Sequence, residues 1–226
     1  MGFKIAIDGP AGAGKSTVAK ETAKRNGLIY VDTGALYRAV ALYLLENGAD
    51  ILDEEDCKKY LPGIRVAIRY DENGQQRVIM NGEDVSHKIR TPEVSDAASK
   101  TSAFPAVREK LLSLQRTLAE ENDVLMDGRD IGTVVLPDAE LKIFLTASAE
   151  VRAKRRYDEL TAAGQEVNYE EILEQIIERD TRDMNREIAP LKQAEDAVLV
   201  DTSKLGIEEV IEVIRGLIEQ RKAEWK

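Results

Sequence analysis

GPAGAGKS, residues 9–16, fits the pattern Gly-x-x-x-x-Gly-Lys-Ser. It follows the apolar run Phe3-Lys4-Ile5-Ala6-Ile7 and precedes a helical pattern over 15–26. That strand–loop–helix setting separates a phosphate-binding loop from a chance glycine-rich turn. Glycines let backbone N–H groups curl around phosphate oxygens without Cβ clashes. The helix that follows turns its positive end toward the same anion. Lys15 adds a point charge at the β- and γ-phosphates of a nucleotide. Ser16 offers a hydroxyl to Mg²⁺, which keeps waters and takes its other ligands from the phosphates. Asp8, just before the loop, reads as a strand-end capping group more readily than as a group near a metal.

Outward from this loop, short apolar runs alternate with helical patterns. Runs at 3–7, 28–31, 124–126, 141–145 and 198–201 are strand-like. Helical patterns cover about 15–26, 35–47, 104–121, 149–163, 169–185 and 207–223, with Asn26-Gly27 and Asn47-Gly48 as stops. This alternation predicts a parallel sheet covered by helices on both faces. One segment breaks the rhythm. RVAIRYDENGQQRVIM, residues 65–80, places two β-type runs around Asp71-Glu72-Asn73-Gly74, a turn signal. It reads either as part of an inserted lobe over about 60–95 or as an edge hairpin.

Composition narrows the function. The chain has 226 residues, 43% hydrophobic and 33% charged, which suits one sizeable core with room for a small inserted subdomain. Aromatics are 5% and the net charge is −10, so a nucleic acid is a poor partner. One cysteine, Cys57, and one histidine, His87, leave no internal disulfide and no ordinary zinc site. No run approaches the ~20 apolar residues of a membrane span. Residues 3–7 read as a first strand rather than a leader, and a cytoplasmic location is expected.

The loop alone leaves kinase, ATPase and binding module open. No Asn-Lys-x-Asp run reads guanine, and Val124-Leu125-Met126-Asp127 continues into Gly128 rather than Glu. A kinase needs a second, charged pocket for its acceptor. DTGALYR at 32–38 offers Asp32 or Thr33 as a helix cap and Arg38 one turn further in. Ile172, Ile176, Arg179, Asp183 and Arg186 fall on one helical face that starts apolar and ends charged. It lines a cavity or carries a surface ion pair. VRAKRRY at 151–157 is a basic cluster in an acidic chain, read as a lid, a solvated helix face or a nucleic-acid patch. DGRDIGT at 127–133 puts three charges at a strand mouth, where open α/β sheets bind ligands.

Six blocks in order carry a resemblance: GPAGAGKST at 9–17, DTGALYR at 32–38, IRTPEVSDAAS at 89–99, FPAVREKLLSLQR at 104–116, DGRDIGTVVLPDA at 127–139 and RDTRDMNREIAPL at 179–191. On these the chain resembles the bacterial cytidylate kinases. The resemblance implies an α/β P-loop kinase fold, with a five-stranded parallel core flanked by helices, a short lid and an acceptor-binding lobe containing an antiparallel hairpin. In that frame the core covers about 1–34, 100–148 and 185–226, the lobe about 35–99 with its hairpin at 65–80, and the lid about 149–168.

It also implies transfer of the γ-phosphate of ATP to CMP or dCMP, giving CDP or dCDP plus ADP in pyrimidine nucleotide metabolism, with Mg²⁺. The ATP set is Gly9, Pro10, Ala11, Gly12, Ala13, Gly14, Lys15, Ser16 and Thr17. Arg38 and Arg129 are implied to hold the CMP phosphate; Ser99, Arg108 and Asp130 the cytosine edge; Arg179 and Asp183 the ribose. Thr33 and Tyr37 border the acceptor pocket. Arg186, with lid residues Arg152 and Arg156, neutralises charge near the transferring group. Asp127 fits either a place near the Mg²⁺ waters or a brace for the loop. A monomer acting on small molecules is expected, with no membrane or nucleic-acid partner.

Overall fold

The strand β1 (Lys4–Asp8) is buried along its whole length, its apolar centre Ile5-Ala6-Ile7 suiting a strand covered on both faces. It belongs to a computed structural model that describes residues 2–225. The chain forms two units. One is built from the chain up to Tyr30 and from Asn122 onward, the other from Val31–Glu121.

In the first unit, β1 lies between β6 (Val124–Gly128) and β7 (Leu141–Thr146), parallel to both. With β2 (Ile29–Asp32) and β8 (Val198–Asp201) the sheet runs β2-β6-β1-β7-β8. The expected five-stranded core is present. The helices are α1 (Lys15–Asn26), α6 (Ala149–Ala162), α7 (Tyr169–Asn185) and α8 (Ile207–Glu224). Phe3, Ile5, Ile7, Leu125, Ile143 and Leu145 pack with Val18 of α1 and with Ile211, Ile214 and Ile218 of α8. The stop at Asn26-Gly27 holds: Gly27 takes φ 67 and its N–H returns to the Ala23 and Lys24 carbonyls.

The register positions the site. Asp8 stands opposite Gly128 in the β1–β6 pair. Two adjacent parallel strands therefore end level, and the loops at 9–14 and 129–135 leave the sheet side by side, at its carboxyl edge.

The second unit has its own core. Leu36, Val40 and Leu44 of α2 (Thr33–Glu46) pack with Val94 of α4 (Pro92–Thr101) and Leu111 of α5 (Pro105–Glu121). Cys57, on the short α3 (Glu54–Tyr60), is fully buried there. Its thiol donates to the Asp50 carbonyl at 3.3 Å. Burial, with Asp56, Asp50 and Asp53 nearby, pushes that thiol up to about 11. The hairpin is present as β3 (Val66–Tyr70) and β4 (Gln76–Met80), in register from Val66↔Met80 to Tyr70↔Gln76. Its turn is tied by Asp71, whose Oδ1 accepts the N–H groups of Asn73 and Gln75. A third strand, β5 (Glu83–Asp84), completes a separate antiparallel sheet. Val78 and Met80 enter the same core as α2, so the hairpin is part of an insert, not an edge of the parallel sheet.

Candidate active site

The loop at 9–14 is shaped by close approach. Gly9 has φ 151, and a Cβ there would lie 1.9 Å from the Leu145 carbonyl oxygen. Gly14, in the left-handed region at φ 87, starts α1 with no side-chain cap. No acidic residue sits in the first turn, so the positive end of α1 is neither capped nor neutralised by its own side chains. Lys15 is buried, with Nζ donating to the Pro10 carbonyl at 2.7 Å. Burial and then Arg129 depress its pKa well below that of an ordinary lysine, against the opposing pull of Asp127 and Asp8.

Ser16 donates to Asp127 Oδ2 at 2.8 Å, and Tyr30 donates to Asp127 Oδ1 at 3.0 Å. Asp127, without a settled role in the sequence, is thus joined to the loop serine. Among the described residues no cluster of three His, Cys, Asp or Glu side chains forms a metal cage. A hydroxyl beside a carboxylate is an all-oxygen donor set. It suits a hard cation that keeps most of its waters, as Mg²⁺ does.

Asp8 bridges the two loops. Its Oδ1 accepts from Ile131 N at 2.8 Å and its Oδ2 from Gly132 N at 2.7 Å. The strand-end capping reading of Asp8 is correct, and its target is the start of the single π-helical turn Ile131–Val135. Burial pushes the carboxyl up to about 7, over the opposing effect of the two N–H groups.

From that loop Arg129 Nε donates to Asp183 Oδ2 at 3.0 Å. Burial alone would raise the Asp183 pKa, but Arg129, Arg179 and Arg186 outweigh it and hold the group below the usual carboxylate range. Arg186 Nη2 lies 3.7 Å from Asp130 Oδ1, with both side chains buried. The charged end of the 172–186 face therefore meets the 127–133 loop. Arg179, Asp183 and Arg186 come together with Arg129 and Asp130, and the surface ion-pair reading of that face falls.

The basic cluster of α6 divides. Arg152 is buried; it donates to the carbonyls of Ala147 and Ala11 at 2.9 and 3.0 Å and forks onto Asp180. Arg155 donates to Thr202. Lys154 and Arg156 are exposed and pair along the helix with Asp158 and Glu159. Asp180 escaped the sequence reading, although it lies inside the RDTRD block.

In the second unit Asp32 caps α2, accepting Ala35 N at 2.9 Å. Thr33 is the first helical residue and is buried. Arg38 Nη2 donates to Asp32 Oδ2 at 2.9 Å. The Arg108 guanidinium sits 5.6 Å from the centre of the Tyr37 ring, and its Nη1 donates to the Ser102 carbonyl. Ser99 is buried one turn before, its carbonyl accepting the Ser102 hydroxyl.

The family model described as Cytidylate kinase matches residues 5–220. A cytidylate kinase of Carboxydothermus hydrogenoformans is 52% identical over 216 residues, covering 96% of this chain and 97% of the relative. One of Bacteroides fragilis is 52% identical over 209 residues, 91% of each chain. Among solved structures, an uncharacterized protein of Eubacterium ventriosum superposes with a TM-score of 0.52 at 13% identity, covering 96% of this chain and 98% of that one; the likeness is one of fold. The loops, the order of the motifs and these relatives agree, and the chain belongs to the cytidylate kinase family.

Proposed function

We propose that the protein transfers the γ-phosphate of ATP to CMP or dCMP, acting as a cytoplasmic monomer on small molecules. One observation carries this reading. A phosphate loop and a loop bearing Arg129 and Asp130 leave adjacent parallel strands at the same edge, and Asp8 ties one to the other.

In this reading Gly9–Thr17 wrap the ATP phosphates, and Lys15 regains a counter-charge there. Ser16, with Asp127 behind it, would hold Mg²⁺, which when bound would neutralise charge on the phosphates. Arg129 and Arg38 hold the CMP phosphate, while Arg179 and Asp183 hold the ribose. Asp130, Arg108 and Ser99 read the cytosine edge, and Thr33 and Tyr37 border the pocket. Cytosine offers an N4 amine to a carboxylate and acceptors at O2 and N3 to an arginine. Uracil places an acceptor oxygen at position 4, which an ionised Asp130 opposes. Phosphoryl transfer here needs alignment and surrounding cations more than a base. Arg186, Arg152 and Arg156 supply cations, the last two from a lid over about 149–168 that excludes water.

ADP release, coupled to a dehydrogenase readout, tests this with a panel of CMP, dCMP, UMP, AMP and dTMP. CMP should be turned over best, with little ATP consumed when no acceptor is present. Preference for AMP or dTMP would overturn the acceptor, and fast acceptor-free turnover would make the protein a hydrolase.

A further inference from the structure

We propose that Tyr30 is a positioning residue for phosphoryl transfer, acting through Asp127 on the Ser16 hydroxyl; this rests on the reading of Ser16 as the serine that faces the nucleotide's metal. Asp127 is 3% exposed. Its two oxygens are held by different hydroxyls: Oδ2 by Ser16, at the start of α1, and Oδ1 by Tyr30, on β2. The terminal torsion of an aspartate is broad and roughly two-fold, so one donor does not fix the plane of the carboxylate. Two donors on separate oxygens do.

The orientation matters because a serine hydroxyl has one proton and two lone pairs. With its proton committed to Asp127, Ser16 presents lone pairs to a hard cation. If the carboxylate turns away, that proton is free to go to a phosphate oxygen, and the hydroxyl competes with the metal instead of binding it. Packing of the Tyr30 ring against the first core is served equally by phenylalanine. The phenolic oxygen donates to Asp127, a bond that phenylalanine cannot make.

The test is Tyr30→Phe, read by electron paramagnetic resonance of Mn²⁺ binding to the enzyme–ADP complex. Direct partners of a metal ligand are worth about 10–100-fold in metal affinity. Tyr30 stands one hydrogen bond further out, behind Asp127. A loss at the low end, about tenfold, is therefore expected, with ADP affinity in EDTA changed by less than about twofold. On a Ser16→Ala background the same substitution should cost nothing further, because the path runs through that hydroxyl. Unchanged Mn²⁺ affinity, a loss that persists without Ser16, or an equal loss of metal-free ADP binding would each overturn the proposal. Wild-type enzyme–ADP that binds no Mn²⁺ would instead overturn the nucleotide–metal reading itself, and this proposal with it.

Discussion

Asp8 is a carboxyl group kept from water and answered by two backbone N–H groups. Its pKa of about 7 in the folded chain stands above the 3.8 of an exposed aspartate. Between those values the folded state holds one proton more than the unfolded state. The contribution of this group to stability is therefore full below about pH 4 and is lost as pH rises through about 7. Urea midpoints measured between pH 4 and 8 should fall with pH more steeply in the wild type than in Asp8→Asn. The variant should also lose about 1–3 kcal/mol at pH 5, since an amide nitrogen cannot accept the second N–H. Equal slopes would refute the buried-proton account. Tyr30 and Asp180 belong with Asp8 at this scale. Each draws its meaning from a partner more than twenty residues distant, and nothing in its local sequence announces the pairing. Lys15, Arg129, Asp130 and Asp183 could be picked out as candidates because their motifs combine residue type, spacing and position at a strand or helix end.

At the scale of elements, the P-loop and α1 separate two demands that glycine meets. Gly9 is held by space as well as by φ, whereas a Cβ at Gly14 meets nothing within 4 Å. Gly9→Ala should cost about 4 kcal/mol or more through a forced shift of β7 against the loop. Gly14→Ala should cost only the left-handed backbone penalty of about 1–2 kcal/mol. Chemical denaturation of the two variants checks the order, and equal losses would mean the Leu145 contact is not the constraint. The same scale shows why the major elements were readable and the minor ones were not. Central strands buried on both faces, such as β1 and β6, and helices of 12 to 18 residues leave clear patterns. Helix α3 has seven residues, of which only Cys57 is buried, so hydrophobic periodicity has nothing to register. Its signal was in its charges: Asp53 as cap, acids in the first turn and lysines in the last. Helix α4 was announced only by Thr91-Pro92, cap and first residue.

For the whole molecule, the division of apolar side chains into two cores decides how damage spreads. Leu44 lies in the core of the second unit and Ile214 in that of the first, both fully buried. Leu44→Ala and Ile214→Ala should each cost about 2–5 kcal/mol. With no shared core neighbours, their effects should add within about 0.5 kcal/mol in urea titrations. A coupling larger than that would show that strain in one core reaches the other. Charge is divided as well. The chain carries a net −10, yet Arg129, Arg179 and Arg186 converge on Asp183, and Arg129 and Arg179 also act on Lys15. The bulk charge is acidic, while at the loops cations stand among the buried carboxylates of Asp8, Asp127, Asp130 and Asp183.

Cys57 adds a clock to the second unit. The thiolate is the reactive form of cysteine. A thiol held near 11 and sealed from solvent offers almost none at neutral pH. Alkylation or disulfide exchange at that sulfur must wait for the surrounding helices to part. In a chain with a single cysteine, the labelling rate then times the opening of that half of the protein, with no second thiol to confuse the signal.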